Sequence, residues 1–425
     1  MSQVKSAKVI IVFLAILGLT VTLAISASAQ ARYKTLYTFP VTTIDGYPHD
    51  ARLILDWAGD LYGTNSAGGD YDYGMVYELK NVGGTWIPTV LHSFDWTDGA
   101  YPRGQLLFDA TGNLYGTASY GGGTSDCYFS GDCGVLFKLA PNSDGTWTES
   151  VLHVFTGLNG DASNTDGGLM FDAAGDLYGT GQWGGAGMGA VFQFTPNSDE
   201  TWRENMLLGF SGSSRGGYPW SDTLVADAAG NLYGTAAFGG KPGCSQGNGC
   251  YGLGLLFELS PNSDGTWTEK VLHLFTAGKD GATPTGPLLL DSAGNLYGTT
   301  FWGGAFNGNG NVFKFVPNPD GTWTEFVLHQ FTGGIDGALP FSGVIMDSAG
   351  SLYGTTTKGG TDNCGVVFKI SPSSSGWKYT VLHTFTNNPA GYPYAGLVMD
   401  RKGNLYGTTM GDGITTFGSV YKITP

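Results

Sequence analysis

The sequence predicts an all-β fold, a seven-bladed β-propeller, and three observations support this prediction. Glycine accounts for 71 of the 425 residues, and 13% of the residues are aromatic. Both kinds of residue are poor in a helix interior. The tetrapeptide Leu-Tyr-Gly-Thr occurs seven times, at spacings of 53 to 64 residues. Each copy lies among short apolar runs separated by Gly, Asn and Asp, which is typical of propeller blades.

Each repeat is predicted to contain four antiparallel strands, A to D, in a fixed order. Strand A is an apolar run that ends in Asp, and strand B carries Leu-Tyr-Gly-Thr. Strand C contains an aromatic residue such as Phe313, and strand D follows a turn with Asp-Gly, a strong hairpin signal. The seven tetrapeptides begin at Leu61, Leu114, Leu177, Leu232, Leu296, Leu352 and Leu405.

The two ends of the chain predict how the ring closes. The last repeat ends after strand C, near Ile423, whereas residues 33–39 match strand D of the sixth repeat, residues 379–385. We therefore expect the first strand to complete the seventh blade, which removes two open sheet edges. Residues 32–425 are then predicted to form a single domain.

The first 31 residues are predicted to be a signal peptide. Lys5 and Lys8 precede an apolar run, and the small residues after it allow cleavage after Ala29 or Ala31. An uncleaved anchor is the alternative, because the apolar run is slightly long. We expect an exported protein, either extracellular or periplasmic, with no transmembrane segment in the mature chain.

The charge of the chain restricts its partners. Acidic residues outnumber basic residues by 35 to 20, which gives a net charge of −15. Binding to nucleic acid requires a basic face, so we expect no nucleic-acid partner. We also expect a monomer without a cofactor.

The repeat resembles a known bacterial family. The residues that carry the resemblance are Gly294–Thr300, the pair Gly303-Gly304 and the pair Val312-Phe313. They are similar to the secreted tandem repeat called GloVer, which is named for its Gly-Leu/Val-aromatic pattern. The resemblance extends over all seven units. It implies export and a propeller-like repeat, but it implies no activity and no catalytic residues.

Most of the conspicuous residues recur in every repeat and are predicted to be structural. The Asp that ends strand A is expected to cap a turn. Tryptophans that open strand D, such as Trp267, are expected to pack on blade edges. The Gly of the tetrapeptide is expected to permit a close approach by a neighbouring blade. Strand D also has one position occupied by His92, His153, His273, His329 and His383, and by Tyr37 and Leu208 in the other copies, so histidine is not obligatory there.

Variation between the repeats indicates where a ligand would bind. Between the Thr of the tetrapeptide and the aromatic residue of strand C there are separations of 12 to 22 residues. The variable B–C loops and the D–A loops emerge on one side, which we call the loop face, and binding residues concentrate on such loops. Its aromatic rings are predicted to stack on sugars or to anchor a protein, and the alternative is packing among the loops. These candidates are Tyr120, Trp183, Phe238, Trp302, Trp220, Phe341 and Tyr394.

The two longest loops each contain a pair of cysteines. We predict disulfides between Cys127 and Cys133 and between Cys244 and Cys250, since an exported protein permits them. A structural zinc site would need four ligands and neither loop contains a histidine, so no metal site is expected. Cys364 has no partner within its own loop and is predicted to be a free thiol or an intermolecular one.

A catalytic site would require polar groups that converge at the central channel, which strand A is expected to line. Candidates for metal binding or acid–base chemistry near the start of strand A are His49, Asp50, Arg52, Arg103, Asp166 and Asp222. The sequence contains no nucleophile elbow, no His-Glu-x-x-His and no P-loop. We therefore predict an interaction scaffold that recognises a glycan or a surface protein on the loop face. The alternatives are a secreted carbohydrate-active enzyme, a hydrolase or lyase at the channel mouth, and a purely structural surface repeat.

Overall fold

The fold is built almost entirely from short β-strands. The computed structural model describes residues 31–40, 52–123, 127, 133–158, 160–199, 201–212, 215–220, 223–240, 252–306, 308–386, 391–411 and 416–425. Within these ranges there is no α-helix. The predicted signal peptide, apart from Ala31, lies outside the described residues.

The strands form seven antiparallel sheets of four strands each. The chain begins with β1 (Arg32–Pro40). Blade 1 contains β2 (Ile54–Leu55), β3 (Leu61–Asn65), β4 (Met75–Val82) and β5 (Thr85–Ser93), and blade 2 contains β6 (Leu107–Phe108), β7 (Leu114–Ala118), β8 (Val135–Pro141) and β9 (Trp147–Val154). Blade 3 contains β11 (Met170–Phe171), β12 (Leu177–Gly181), β14 (Ala190–Pro196) and β15 (Trp202–Gly209), with a small added ladder of β10 (Ala162–Ser163) and β13 (Trp183–Gly184).

The remaining blades repeat this order. Blade 4 contains β16 (Val225–Ala226), β17 (Leu232–Ala236), β18 (Leu255–Pro261) and β19 (Trp267–Leu274). Blade 5 contains β20 (Leu289–Leu290), β21 (Leu296–Thr300), β22 (Asn311–Pro317) and β23 (Trp323–Gln330), and blade 6 contains β24 (Ile345–Met346), β25 (Leu352–Thr356), β26 (Val366–Ser373) and β27 (Gly376–Thr384). Blade 7 contains β28 (Val398–Met399), β29 (Leu405–Met410) and β30 (Thr416–Thr424), together with β1.

The seventh blade is completed by the first strand, as predicted. Strand β1 pairs antiparallel with β30, and Tyr37 lies opposite Val420. His383 lies opposite Val367 at the same place in blade 6. Because the register is the same, β1 takes the position of strand D. The seven-bladed propeller and its closure by the N-terminal strand are therefore confirmed.

Aromatic pairs join each blade to the one before it. The Trp that opens strand D packs against the Tyr of the tetrapeptide in the preceding blade. Trp202 lies 6.0 Å from Tyr115, measured between ring centroids, and Trp86 of blade 1 lies 6.4 Å from Tyr406 of blade 7. The tryptophans therefore pack on blade edges, as expected, and the last of these pairs also joins the two ends of the ring.

The Asp at the end of strand A caps the A–B turn in every blade. In blade 5, Asp291 Oδ1 accepts hydrogen bonds from the amide nitrogens of Ala293 at 2.9 Å and Asn295 at 2.8 Å. Its other oxygen, Oδ2, accepts a hydrogen bond of 3.0 Å from the hydroxyl of Tyr297. Burial raises the pKa of Asp291, but hydrogen bonds from Asn295 and Tyr297 outweigh it, so the pKa lies below its usual value. The interpretation of this residue as a turn cap is confirmed.

The expected role of the tetrapeptide Gly is wrong. Gly116 lies opposite Phe137 on the next strand of its own blade. A Cβ atom at Gly116 would lie 2.5 Å from Phe137 Cζ and 2.9 Å from Leu106 Cδ2. The missing side chain therefore makes room for an aromatic ring of the same blade, and not for a neighbouring blade. All seven blades have this arrangement, with Phe or Tyr as the ring.

Candidate functional site

The D–A loops bring residues from all seven blades to one cavity at the mouth of the central channel. The cavity is partly open to solvent, and the empty space inside it and at its open side together is about 370 Å³. Each blade contributes at least one residue to its lining, in chain order Arg52, Arg103, Asp166, Thr223, Thr285, Phe341 and Tyr394. Three of the six predicted channel residues are therefore brought together. The other three, His49, Asp50 and Asp222, lie outside the described residues.

Asp166 contacts two other polar residues at this cavity, Arg103 and Ser119. Its side chain is buried, and Arg103 Nη1 lies 3.8 Å from Asp166 Oδ2. The hydroxyl of Ser119 donates a hydrogen bond to Asp166 Oδ1. These contacts orient the carboxylate and, through it, the guanidinium of Arg103.

The described lining of the cavity is positive although the chain is acidic. The lining contains two guanidinium groups, those of Arg52 and Arg103, and one carboxylate, that of Asp166. Burial lowers the pKa of Arg52 from its usual value, because a low dielectric disfavours the charged form. A guanidinium remains charged in spite of such a shift, so the cavity offers hydrogen-bond donors to a polar or anionic group.

A chain of aromatic rings reaches the cavity through Phe341 and Tyr394, with Phe341 at its centre. Phe341 makes edge-to-face contacts with Trp220 at 6.1 Å, Tyr394 at 5.6 Å and Phe301 at 5.7 Å between ring centroids. Phe301 in turn contacts Trp302 at 5.0 Å, and 49% of Trp302 is exposed. Four of the seven predicted aromatic residues therefore belong to one chain. Phe301 is not among the residues predicted from the sequence, where its only signal is its place directly before Trp302.

The other three predicted aromatic residues take part in separate pairs. Trp183 and Phe238 each contact Tyr218 edge-to-face, at centroid distances of 4.5 Å and 5.5 Å. Tyr120 contacts Tyr101 edge-to-face at 5.8 Å. None of these residues belongs to the described lining of the cavity. The loop face thus has a channel-mouth group and a group that packs between loops.

The D–A loops are held by a strained residue at the same position in six blades. These residues have positive φ angles of 52° to 61° although none is glycine, and they are Tyr101, Asn164, Tyr218, Thr283, Leu339 and Tyr392. Each donates its backbone N–H to a carbonyl in the B–C loop of the preceding blade, as Tyr218 does to Met188 at 2.7 Å. Such backbone strain persists only where the surroundings fix it. The loops that line the channel mouth are therefore preorganised.

The cysteines on the loop face are only partly described. Cys127 and Cys133 form a disulfide with Cα atoms 5.5 Å apart, as predicted. The second predicted pair, Cys244 and Cys250, lies outside the described residues. Cys364 is a buried thiol whose Sγ donates to the Asp362 carbonyl at 3.2 Å, so burial disfavours the intermolecular alternative.

Part of the repeat array matches a known family model. Residues 242–425 match the model of the Gloeobacter/Verrucomicrobia repeat. The resemblance to the GloVer-type repeat is thereby confirmed over this part of the chain. No curated protein matches the chain.

Solved structures share the fold of this chain. A candidate 6-phosphogluconolactonase from Bacteroides uniformis ATCC 8492 superimposes with a TM-score of 0.53 at 12% identity. The match covers 86% of this chain and 98% of that one. At this identity the likeness shows the propeller fold alone. In the part of the chain that the structure describes, no helix is long and apolar enough to cross a membrane.

Proposed function

We propose that this protein is an exported propeller scaffold that binds a carbohydrate at the mouth of its central channel. The observation that carries the proposal is one cavity that combines guanidinium and hydroxyl groups with an aromatic chain centred on Phe341. Sugars present hydroxyl groups at their edges and C–H groups on their faces, so they suit such a mixed site. Export is supported by the leader-like first 31 residues and by the disulfide in the second blade.

The residues around the cavity have separate roles in this proposal. Phe341 and Tyr394 offer ring surface to the face of a sugar. Arg103, oriented by Asp166, donates hydrogen bonds to a hydroxyl or carboxylate of the ligand. Arg52 adds a second donor from the first blade. Because the strained D–A loops are preorganised, little conformational entropy is lost when the ligand binds.

A glycan array followed by titration calorimetry tests the proposal on residues 32–425. Phe341→Ala is expected to weaken binding of the best array ligand about tenfold or more, since a lost ring at a binding site costs ~1–3 kcal/mol. Trp183→Ala is the matched control, because this ring also lies on the loop face but contacts Tyr218 away from the cavity. It is expected to leave the affinity unchanged.

Two results would contradict the carbohydrate proposal. If Trp183→Ala weakens binding and Phe341→Ala does not, the ligand binds elsewhere on the loop face. If no glycan binds but a surface protein is captured through Phe341, the scaffold recognises protein. Circular dichroism of each variant shows that the propeller remains folded.

The alternative is a carbohydrate-active hydrolase or lyase at the same channel mouth. The observation that favours it is the buried carboxylate of Asp166, which lies beside Arg103 in the lining of the cavity. Glycoside hydrolysis usually requires two carboxylates, and Asp166 is the one carboxylate among the described lining residues. An enzyme at this site would therefore need a second carboxylate, for which Asp50 and Asp222 are the candidates from the sequence. Activity on a glycan that disappears in Asp50→Asn or Asp222→Asn and survives in Phe341→Ala would favour it.

A further inference from the structure

A cluster of a histidine and two acids recurs where neighbouring blades meet, away from the channel mouth. The histidine lies on strand D of one blade, an aspartate follows it in the D–A loop, and a glutamate lies on strand D of the next blade. At the junction of blades 2 and 3 these residues are His153, Asp161 and Glu204. The junctions of blades 1 and 2 and of blades 4 and 5 have the same residue types, with His92 and His273 in place of His153.

The three side chains at the junction of blades 2 and 3 converge on one point. His153 Nε2 lies 3.5 Å from Asp161 Oδ1 and 3.6 Å from Glu204 Oε2. The ligand atoms of all three residues lie within 4.8 Å of one another. Ligands at about 2.0–2.1 Å from a tetrahedral zinc ion are roughly 3.4 Å apart, so the two distances measured from His153 Nε2 suit one ion.

The corresponding cluster at the junction of blades 4 and 5 is arranged differently. His273 Nε2 makes a direct hydrogen bond of 3.3 Å with Asp280 Oδ2, whereas Glu325 lies 4.0 Å away. Among the described residues, only His153, Asp161 and Glu204 bring three such ligand atoms together. The cluster around His273 is therefore a natural control with the same residue types.

Two other junctions show how a carboxylate at this position is compensated or avoided. Leu208 replaces the histidine at the junction of blades 3 and 4, and there Arg215 Nε lies 3.4 Å from Glu269 Oε2. At the junction of blades 5 and 6, Tyr379 replaces the glutamate and stacks on His329 at 3.8 Å. These two junctions thus either supply a cation to the glutamate or lack the carboxylate.

The junction of blades 2 and 3 keeps both carboxylates, as do the junctions of blades 1 and 2 and of blades 4 and 5, but among the described residues only here do three ligand atoms lie within 4.8 Å of one another. The side chains of His153, Asp161 and Glu204 are only 24%, 12% and 19% exposed. His153 Nε2, Asp161 Oδ1 and Glu204 Oε1 are buried atoms without a hydrogen bond of good geometry, whereas Asp161 Oδ2 accepts hydrogen bonds from the amide and hydroxyl of Thr156 at 2.7 and 2.8 Å. Two carboxylates in such surroundings repel each other unless a proton or a cation lies between them.

We propose that His153, Asp161 and Glu204 bind a divalent transition-metal ion, Zn²⁺ in the first place, through one imidazole nitrogen and two carboxylate oxygens. Imidazole and carboxylate ligands in a tetrahedral arrangement suit zinc, and water completes the coordination. His153 and Asp161 come from blade 2 and its following loop, and Glu204 comes from blade 3. The ion therefore links two blades and stabilises their junction.

Calorimetric titration of residues 32–425 with ZnCl₂ tests the proposal, on protein without a polyhistidine tag and after treatment with a chelator. One ion is expected to bind per chain, and the melting temperature is expected to rise with zinc concentration, because the ion binds the folded state. Co²⁺ in place of Zn²⁺ is expected to give the visible absorption of a tetrahedral site.

Matched glutamine variants separate this site from the repeated pattern. Glu204→Gln keeps the size of the side chain and is expected to lower zinc affinity at least tenfold and to abolish the cobalt spectrum. Glu325→Gln, at the junction of blades 4 and 5, is expected to change neither. The proposal is overturned if zinc does not bind, if Glu204→Gln binds zinc as the parent chain does, or if Glu325→Gln removes binding equally.

Discussion

At the scale of single residues, the junctions between blades hold carboxyl groups in surroundings that oppose their ionisation. Glu325 lies partly buried between blades 4 and 5, close to His273 and Asp280. Burial, with a further contribution from the Asp280 carboxylate, raises the pKa of Glu325 to about 7. The neutral carboxylic acid is thus the form that the folded propeller accommodates best.

This raised pKa predicts a pH-dependent effect of Glu325→Gln. The folded state binds the proton more tightly than the unfolded chain, where a glutamate titrates near ~4.3. Stability from the neutral form is therefore fully present below that pH and is lost as the pH rises through about 7. Glutamine cannot ionise, so Glu325→Gln should leave the melting temperature nearly unchanged at pH 4 and raise it at pH 8.

Thermal unfolding followed by circular dichroism at several pH values checks this prediction. Asp280 and His273 are the titratable groups that face Glu325, and both remain in the variant. An equal change in melting temperature at pH 4 and pH 8 would mean that packing of the amide, and not ionisation, causes the effect.

At the scale of elements, strand B shows how one tetrapeptide serves three contacts. In blade 2 the strand is β7, and Leu114 is fully buried in the core between blades 1 and 2. Tyr115 donates a hydrogen bond from its hydroxyl to Asp109, and its ring packs against Trp202 of blade 3. Gly116 leaves the space that Phe137 fills. The repetition of the four letters therefore follows from packing, and it carries no information about a ligand.

Gly116→Ala should destabilise the protein by overpacking. The new methyl group would lie 2.5 Å from Phe137 Cζ, and overpacking of a core costs ~1–3 kcal/mol. Gly334→Ala is the control, since the nearest atom to its Cβ would be Thr332 Oγ1 at 3.3 Å and the loop is exposed. Chemical denaturation should show a change of no more than ~0.5 kcal/mol for the control.

A double mutant tests the physical cause. In Phe137→Leu the smaller side chain leaves space for a methyl group at position 116. The two changes together should therefore destabilise the propeller less than the sum of the separate effects. Strict additivity would show that the ring of Phe137 is not what excludes a side chain at Gly116.

At the scale of the whole molecule, the closed ring could be predicted because the sequence contains a repeated motif and an N-terminal segment that matches the missing last strand. Seven tetrapeptides gave seven blades, and the match of residues 33–39 to strand D gave the partner of β30. The channel mouth could be predicted only as a set of candidates. Arg52, Arg103 and Asp166 are 114 residues apart at the extremes, and only the geometry of the ring brings them to one cavity.

Other features had no signal in the sequence. The division of the loop-face aromatics into two groups depends on side-chain directions, which place Phe341 at the cavity and turn Trp183 towards Tyr218. The cluster of His153, Asp161 and Glu204 joins strands of different blades, so residue spacing does not reveal it. The recurrence of histidine at one position of strand D also gave no indication of the cluster, because this histidine has different neighbours at different junctions.

Closure of the ring predicts that residues 32–425 unfold as one unit. Each blade packs on two neighbours, and β1 gives blade 7 its outer strand and also contributes Tyr33, which stacks on His383 of blade 6 at 3.9 Å. Calorimetry of residues 32–425 should therefore show a single transition with equal calorimetric and van't Hoff enthalpies. Removal of residues 32–40 should expose β30 as an open edge, which lowers the melting temperature, broadens the transition and promotes aggregation.

Two substitutions in β1 distinguish the contribution of its packing to stability from the effect of shortening the chain. Tyr33→Ala removes the ring that stacks on His383 and should cost ~3 kcal/mol, a value in the range for large-to-small changes at packed sites. Lys34→Ala, on the exposed side of the same strand, should change the stability by no more than ~0.5 kcal/mol. If the shortened chain and residues 32–425 melt alike, the first strand does not hold the ring closed. If residues 32–425 instead unfold in separate steps while Tyr33 remains packed, neighbouring blades unfold independently, and the cooperativity that a closed ring requires is absent.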